Sequence, residues 1–169
     1  MMEEIMPTET EKAWMAGFLD GEGTFTICKQ VRKNRPSPAY RVFISVSNTD
    51  KYVLKIFCRY YGGKIYNVHE RRKDKRGLKW RDAFDWYCPV FTSERFLIDV
   101  LPYLRLKYQQ AEVLLEFLRT KQAFARKKRT SRGSAPLTDE EIAHRERLRL
   151  KVQALNKKGV YSRYLEVMK

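Results

Sequence analysis

The chain has 169 residues, enough to bury a real core, and its length points to one domain. Thirty-five Lys and Arg against twenty Asp and Glu leave a net charge of +15, which favours a polyanionic partner, nucleic acid first and an anionic membrane surface second. No apolar run reaches membrane-spanning length and the first residues are acidic (Glu3, Glu4, Glu9, Glu11), so a soluble, intracellular protein without membrane partners is expected. Three cysteines without C-x-x-C spacing (Cys28, Cys58, Cys88) and two isolated histidines suggest neither a disulfide framework nor a zinc site.

In chain order, Thr8 to Leu19 reads as a helix. Thr8 and Glu11 form a capping box, and Ala13, Trp14, Met15, Phe18 and Leu19 are apolar. Gly21 and Gly23 are expected to break it, leaving Asp20 and Glu22 where carbonyl oxygens carry the negative end of the helix dipole. A divalent cation would relieve that clustering, and Mg²⁺ suits a site of one carboxylate plus a backbone carbonyl, water and phosphate. The plain alternative is a helix cap followed by a tight turn. Ala16, Gly17 and Gly21 put small residues at one-turn spacing, which lets a second backbone approach.

Two strands follow. Thr24 to Lys33 alternates, and Arg41 to Ser47 places Val42, Ile44 and Val46 opposite Arg41, Ser45 and Ser47, with the turn at Asn34-Arg35-Pro36-Ser37-Pro38. A helix from about Thr49 to Tyr61 starts at Thr49 or Asp50 and stops at Gly62-Gly63. Lys64 to Arg72 and Lys79 to Tyr87 form a second hairpin whose register is open, because Ile65 and Tyr66 compete for the inward position. A helix capped by Thr92 or Ser93 ends near Pro102, and a longer one spans Lys107 to Arg126 with Ala111, Leu114, Leu115 and Leu118 on its apolar stripe. The run Arg126 to Gly133 carries five positive charges and no acid, as a solvated linker or a phosphate clamp. Thr138 to Glu141 then caps a helix to about Lys158 that docks through Ile142, Leu148, Val152 and Leu155.

Met15-Ala16-Gly17-Phe18-Leu19-Asp20-Gly21-Glu22-Gly23 resembles, position by position, the LAGLIDADG motif of homing endonucleases, with Glu22 standing where aspartate is common. Leu101 to Ala111 resembles the family's P-x-L-x-x-K-x-x-Q-A stretch, and Val46 to Lys51 the segment that carries a polar water-positioning residue and a nearby base. There is one copy of the motif. The resemblance covers roughly residues 8 to 125 and implies an α+β class, the LAGLIDADG homing-endonuclease fold (α-β-β-α-β-β-α), with a curved antiparallel four-stranded sheet and helices on its convex face. The implied organisation is an endonuclease domain over 1–125, a basic linker over 126–137 and a helical extension packed on the same domain over 138–169.

The implied function is a sequence-specific homing endonuclease, encoded within an intron or intein-like mobile element. It would make a double-strand break in a long, near-palindromic double-stranded DNA site by metal-dependent phosphodiester hydrolysis. Rival readings in the same fold are an RNA maturase and a non-cleaving DNA-binding regulator; Glu22 together with Lys107 favours the nuclease. By resemblance Glu22 and the Gly21 carbonyl hold Mg²⁺, or Mn²⁺ or Ca²⁺ in its place, and Asn48, Lys51 and Lys107 join Glu22 in catalysis. The implied homodimer packs motif helices through Ala13, Ala16, Gly17 and Asp20. The sheet implied to lie on DNA offers Thr26, Cys28, Gln30, Arg32, Lys33, Arg35, Arg41, Ser45, His69, Arg71, Arg72, Lys79 and Arg81, with Lys29 in the same strands.

Overall fold

The computed structural model describes residues 6–33, 35–68, 82–126, 129–130, 133–134 and 136–157. Among them the order is α1 (Glu9–Glu22), β1 (Gly23–Gln30), β2 (Ala39–Asn48), α2 (Lys51–Tyr61), β3 (Lys64–Asn67), β4 (Phe84–Tyr87) and α3 (Ser93–Val100). A 3₁₀ turn (Leu101–Tyr103), α4 (Tyr108–Arg126), β5 (Arg129–Thr130), β6 (Gly133–Ser134) and α5 (Asp139–Leu155) complete it. The α+β order agrees with the sequence reading, and β1 to β4 form one antiparallel sheet in the order β1-β2-β4-β3. Within the basic segment, β5 and β6 pair as a two-residue antiparallel ladder. No helix of the described residues is long and apolar enough to cross a membrane.

The chain divides into two compact units, Met1–Thr24 with Ile44–Arg105, and Phe25–Phe43 with Leu106–Lys169. In the first, Trp86 is buried among aromatic rings, 5.1 Å from Phe57 and 5.4 Å from Phe96, and its Nε1 donates to Gly62 O at 2.8 Å. Burying an indole without a partner for its N–H would cost about 1–3 kcal/mol, so that carbonyl matters. Gly62 and Gly63 stop α2 with φ of 71° and 95°, a region that only glycine enters readily. At Gly63 space decides as well, because a Cβ would lie 2.4 Å from Tyr87 O.

The register of the second hairpin is settled. Ile65 pairs with Trp86 and Tyr66 with Asp85, so Ile65 points to the buried side and Tyr66 to the other. On β2, Val46 pairs with Trp86 and shares the buried side. The Thr92 hydroxyl caps nothing: it donates to Tyr61 O at 2.9 Å and Pro89 O at 3.2 Å, while Ser93 Oγ donates to Pro89 O at 2.8 Å. Asp50, not Thr49, caps α2, accepting from Tyr52 N at 2.8 Å.

In the second unit, Thr138 and Glu141 form the expected capping box, and α5 buries Leu148 and Val152. This helix is tied to the strands by polar bonds. Glu146 accepts from Tyr40 Oη at 2.7 Å and pairs with Lys29 Nζ at 3.1 Å and Arg149 Nη2 at 2.5 Å, while Asn156 Nδ2 donates to Phe25 O at 2.8 Å. Arg149 first, then the Tyr40 and Lys29 donors, hold the Glu146 carboxyl down to about 2. A folded-state value below the ordinary 4.5 gives stability that is present above that value and lost as pH falls toward about 2. Glu146→Ala should therefore cost roughly 1–2 kcal/mol at neutral pH. Melting both proteins across pH should show the difference shrink as pH drops from 4.5 toward 2; a difference constant over that range would separate Glu146 from the fastening.

Candidate functional site at the end of the first helix

Helix α1 begins as the sequence predicts, with the Thr8 and Glu11 box formed, yet it does not stop before Gly21. It runs to Glu22, and Gly23 N–H still bonds to Leu19 O. One glycine in a helix costs only about 1 kcal/mol relative to alanine, which burial of Met15, Ala16 and Leu19 readily offsets. Glu22 is thus the last helical residue rather than one beyond it. The dipole argument survives the correction, since Asp20 and Glu22 lie in a last turn that has no basic residue. Gly23 is set by space: a Cβ there would meet Leu19 O at 2.6 Å and Leu19 Cα at 2.9 Å. Helix and strand therefore join with no residue between them.

The two acids differ in surroundings. Asp20 Oδ2 accepts from Arg105 N at 2.7 Å, which fixes the helix end to the segment after the 3₁₀ turn. Glu22 is exposed, and its carboxylate makes no hydrogen bond or ion pair with a described residue. The rest of α1 is anchored by phenols and carboxylates. Tyr60 Oη donates to Glu11 and Tyr103 Oη to Glu9, Lys12 Nζ lies 3.3 Å from Asp99, and Asp99 accepts from Tyr61 Oη at 2.9 Å. Lys12 and then Tyr103 hold the Glu9 carboxyl below its ordinary value, and Tyr60 does the same for Glu11. These anchors leave no sequence signal, because their partners lie 38 to 94 residues apart.

The residues assigned to the helix interface separate in the structure. Ala13, Gly17 and Gly21 are exposed on one face of α1, and a Cβ at Gly17 or Gly21 would meet nothing within 4 Å. Ala16 is fully buried within its own chain. Asn48 ends β2 opposite Phe84, and its Oδ1 accepts from Asp50 N at 2.7 Å, a turn contact and not a helix cap. Lys51 is exposed at the start of α2 with its ammonium 5.6 Å over the Phe84 ring. The structure brings Asn48 and Lys51 together around that ring. Lys107 belongs to the second unit and stands at the entrance of α4, where its carbonyl accepts from Ala111 N at 3.1 Å.

Among the strand residues, Thr26, Cys28 and Gln30 alternate away from buried Phe25 and Ile27, and Arg41 is exposed between buried Tyr40 and Val42. Arg32 Nη2 donates to Gln30 Oε1 at 2.9 Å, and Lys33 and Arg35 are exposed in the turn. Lys29 lies in phase with Phe25 and Ile27, and although exposed its Nζ is 3.1 Å from Glu146 Oε2. Ser45 lies on the expected side opposite Tyr87 but retains only 7 % exposure. His69, Arg71, Arg72, Lys79 and Arg81 lie outside the described residues. Reading the strands for basic groups also passed over Asp85, which the alternation about Trp86 turns to the side of Ser45 and Ser47.

A family model described as LAGLIDADG endonuclease matches residues 15–84, which span the helix end, both strands of the first hairpin and α2. Residues 15–84 are therefore similar to the LAGLIDADG endonuclease family. A search of curated proteins finds no match. Among solved structures the chain is similar to the homing endonuclease I-CvuI in complex with the I-CreI target in the presence of Mg. The TM-score is 0.64 at 22% identity, over 89% of this chain and 85% of that one. It is also similar to the archaeal intron-encoded homing endonuclease I-Vdi141I complexed with DNA, with TM-score 0.65 at 14% identity over 89% and 87% of the two chains. For the homing endonuclease I-TnaI the values are 0.59 and 15%, over 98% and 100%. The fold is that of the LAGLIDADG homing endonucleases.

The LAGLIDADG helix end can be tested for its steric limit. Gly23→Ala should destabilise the chain by roughly 1–3 kcal/mol, since the new methyl meets backbone that cannot rotate away. Chemical denaturation of the two proteins reads this directly, and an unchanged midpoint would mean that the junction relaxes.

Proposed function

We propose that the chain is a homodimeric, divalent-metal-dependent endonuclease that makes a double-strand break in a long, near-palindromic DNA site. The observation that carries this reading is the end of the LAGLIDADG helix. It presents the exposed Glu22 carboxylate in a turn without basic residues, beside an exposed small-residue face. Among the described residues no group of three or more His, Cys, Asp or Glu could hold a metal ion. A Mg²⁺ site of one carboxylate and a backbone carbonyl, completed by water and substrate phosphate, does fit Glu22 and Gly21. A bound divalent ion supplies charge stabilisation at the phosphate and a more acidic attacking water. Glu22 would hold it, Asn48 would orient the water through its amide, and Lys51 and Lys107 would balance the developing negative charge. I-CvuI complexes prepared with Mg and with Ca support a divalent ion in this role.

Self-association is supported by the cost of the helix glycines. Gly17 and Gly21 each sacrifice about 1 kcal/mol of helix propensity relative to alanine, and among the described residues nothing lies within 4 Å of where their Cβ would be. A second copy of the helix crossing there would use it. A twofold dimer reads a palindromic or near-palindromic site, with the uncovered face of the sheet toward the bases.

Glu22→Gln keeps size and hydrogen bonding but removes the charge, so cleavage should fall by roughly 10²-fold or more while specific binding persists. Cleavage at near wild-type rate with Mg²⁺ would place the metal elsewhere. For the dimer, Gly17→Leu should shift the protein toward monomer in sedimentation velocity at micromolar concentration. A wild-type protein that sediments as a monomer both free and on DNA would overturn the symmetric reading.

A further inference from the structure

We infer that Asp85 is a specificity-determining residue that reads a cytosine in the major groove; this rests on the DNA-binding reading above. Strand β4 lies between β2 and β3, and Cα partners in antiparallel pairs send their side chains to the same side. The pairings Ser45 with Tyr87, Ser47 with Asp85, Lys64 with Tyr87 and Tyr66 with Asp85 therefore gather these six side chains on the side opposite buried Trp86. Asp85 is at the middle of that group. Its Oδ1 accepts from Ser47 Oγ at 2.6 Å and its Oδ2 from Tyr87 Oη at 3.0 Å, and the Tyr87 ring stands 5.3 Å from that of Tyr66. The carboxylate is thus held in one orientation by two hydroxyls and is half-buried, not a loose surface charge.

An acid on a DNA-facing sheet is repelled by phosphate, so it adds nothing to general affinity, which the net charge of +15 supplies. What it can add is selectivity. A carboxylate is an acceptor only, and the cytosine N4 amino group is the major-groove donor without an acceptor on the same base edge. Guanine offers N7 and O6, both repulsive to an acceptor, thymine offers O4 and a methyl, and adenine sets N7 beside its amino group, a pair that suits an amide better. The Ser47 and Tyr87 bonds occupy one lone-pair direction on each Asp85 oxygen and leave the others for the base.

The test is to select bound duplexes from a random pool with the wild-type protein. Single-base preferences of Asp85→Asn, Asp85→Ala and Ser47→Ala are then measured on the selected site. Asp85→Asn should move one position in each half-site from cytosine toward adenine, and Asp85→Ala should lose about 5- to 150-fold of discrimination there, the range of one good base contact. Ser47→Ala keeps the carboxylate and should retain the cytosine preference in weaker form. Base preferences unchanged in both Asp85 variants, or binding altered equally on every sequence, would overturn the assignment and leave Asp85 as a structural or merely repulsive group. A wild-type protein that selects no consensus would instead overturn the sequence-specific endonuclease reading itself, so the two failures are told apart.

Discussion

Helix α1 and strand β1 meet with no residue between them, and the chain allows this because Gly23 has no Cβ. Its N–H closes the last turn onto Leu19 O, and the space beside its Cα is taken up by Leu19 itself. The consequence is that the backbone of Glu22 has no loop through which to relax: its position follows from that of the helix, which is held by Met15, Ala16 and Leu19 in the core and by Asp20 on the Arg105 amide. The metal ligation proposed above would draw on this, since side chains on a packed helix are placed better than those on loops.

The same logic explains where the acids of a strongly basic chain are used. Glu9, Glu11, Asp20 and Asp99 fasten the first unit, and Glu146 fastens the second, each through phenol, amide or ammonium donors. Charges used inside a unit contribute little to the outer field, because each is neutralised over a few ångströms by its own partner. The exposed arginines and lysines near the first turn, Arg32, Lys33, Arg35 and Arg41, are therefore less offset than the simple count of twenty acids suggests. Lys29 is the converse. It belongs to a basic strand by sequence, and by phase its ammonium is partly offset by Glu146.

Local grammar was legible in the sequence, and long-range pairing was not. Two capping boxes, the Gly62-Gly63 stop and the Val42, Ile44, Val46 alternation each depend on residues within a turn or two, so spacing alone locates them. The register of β3 against β4 depends on which side chain reaches the aromatic cluster. Ile65 and Tyr66 were equivalent in pattern until Trp86 paired with Ile65. Helix continuation through Gly21 was missed for a related reason: propensity ranks glycine as a breaker, but packing of three buried neighbours outweighs a penalty of about 1 kcal/mol. Of the candidate site, the acids and the small-residue face were visible as a motif, whereas the different fates of Asp20 and Glu22 required Arg105, 85 residues from Asp20.

That difference decides what each acid can do. An aspartate whose oxygen already accepts a backbone N–H has a lower ligand strength, and removing it would also leave an amide without its partner. Glu22 carries no such obligation to a described residue, and its extra methylene relative to aspartate lengthens its reach from the helix end by about one bond. In the dimer proposed above each copy would bring one Glu22, and because Mg²⁺ keeps several waters and draws on substrate phosphate, binding of the ion and binding of the duplex would be linked.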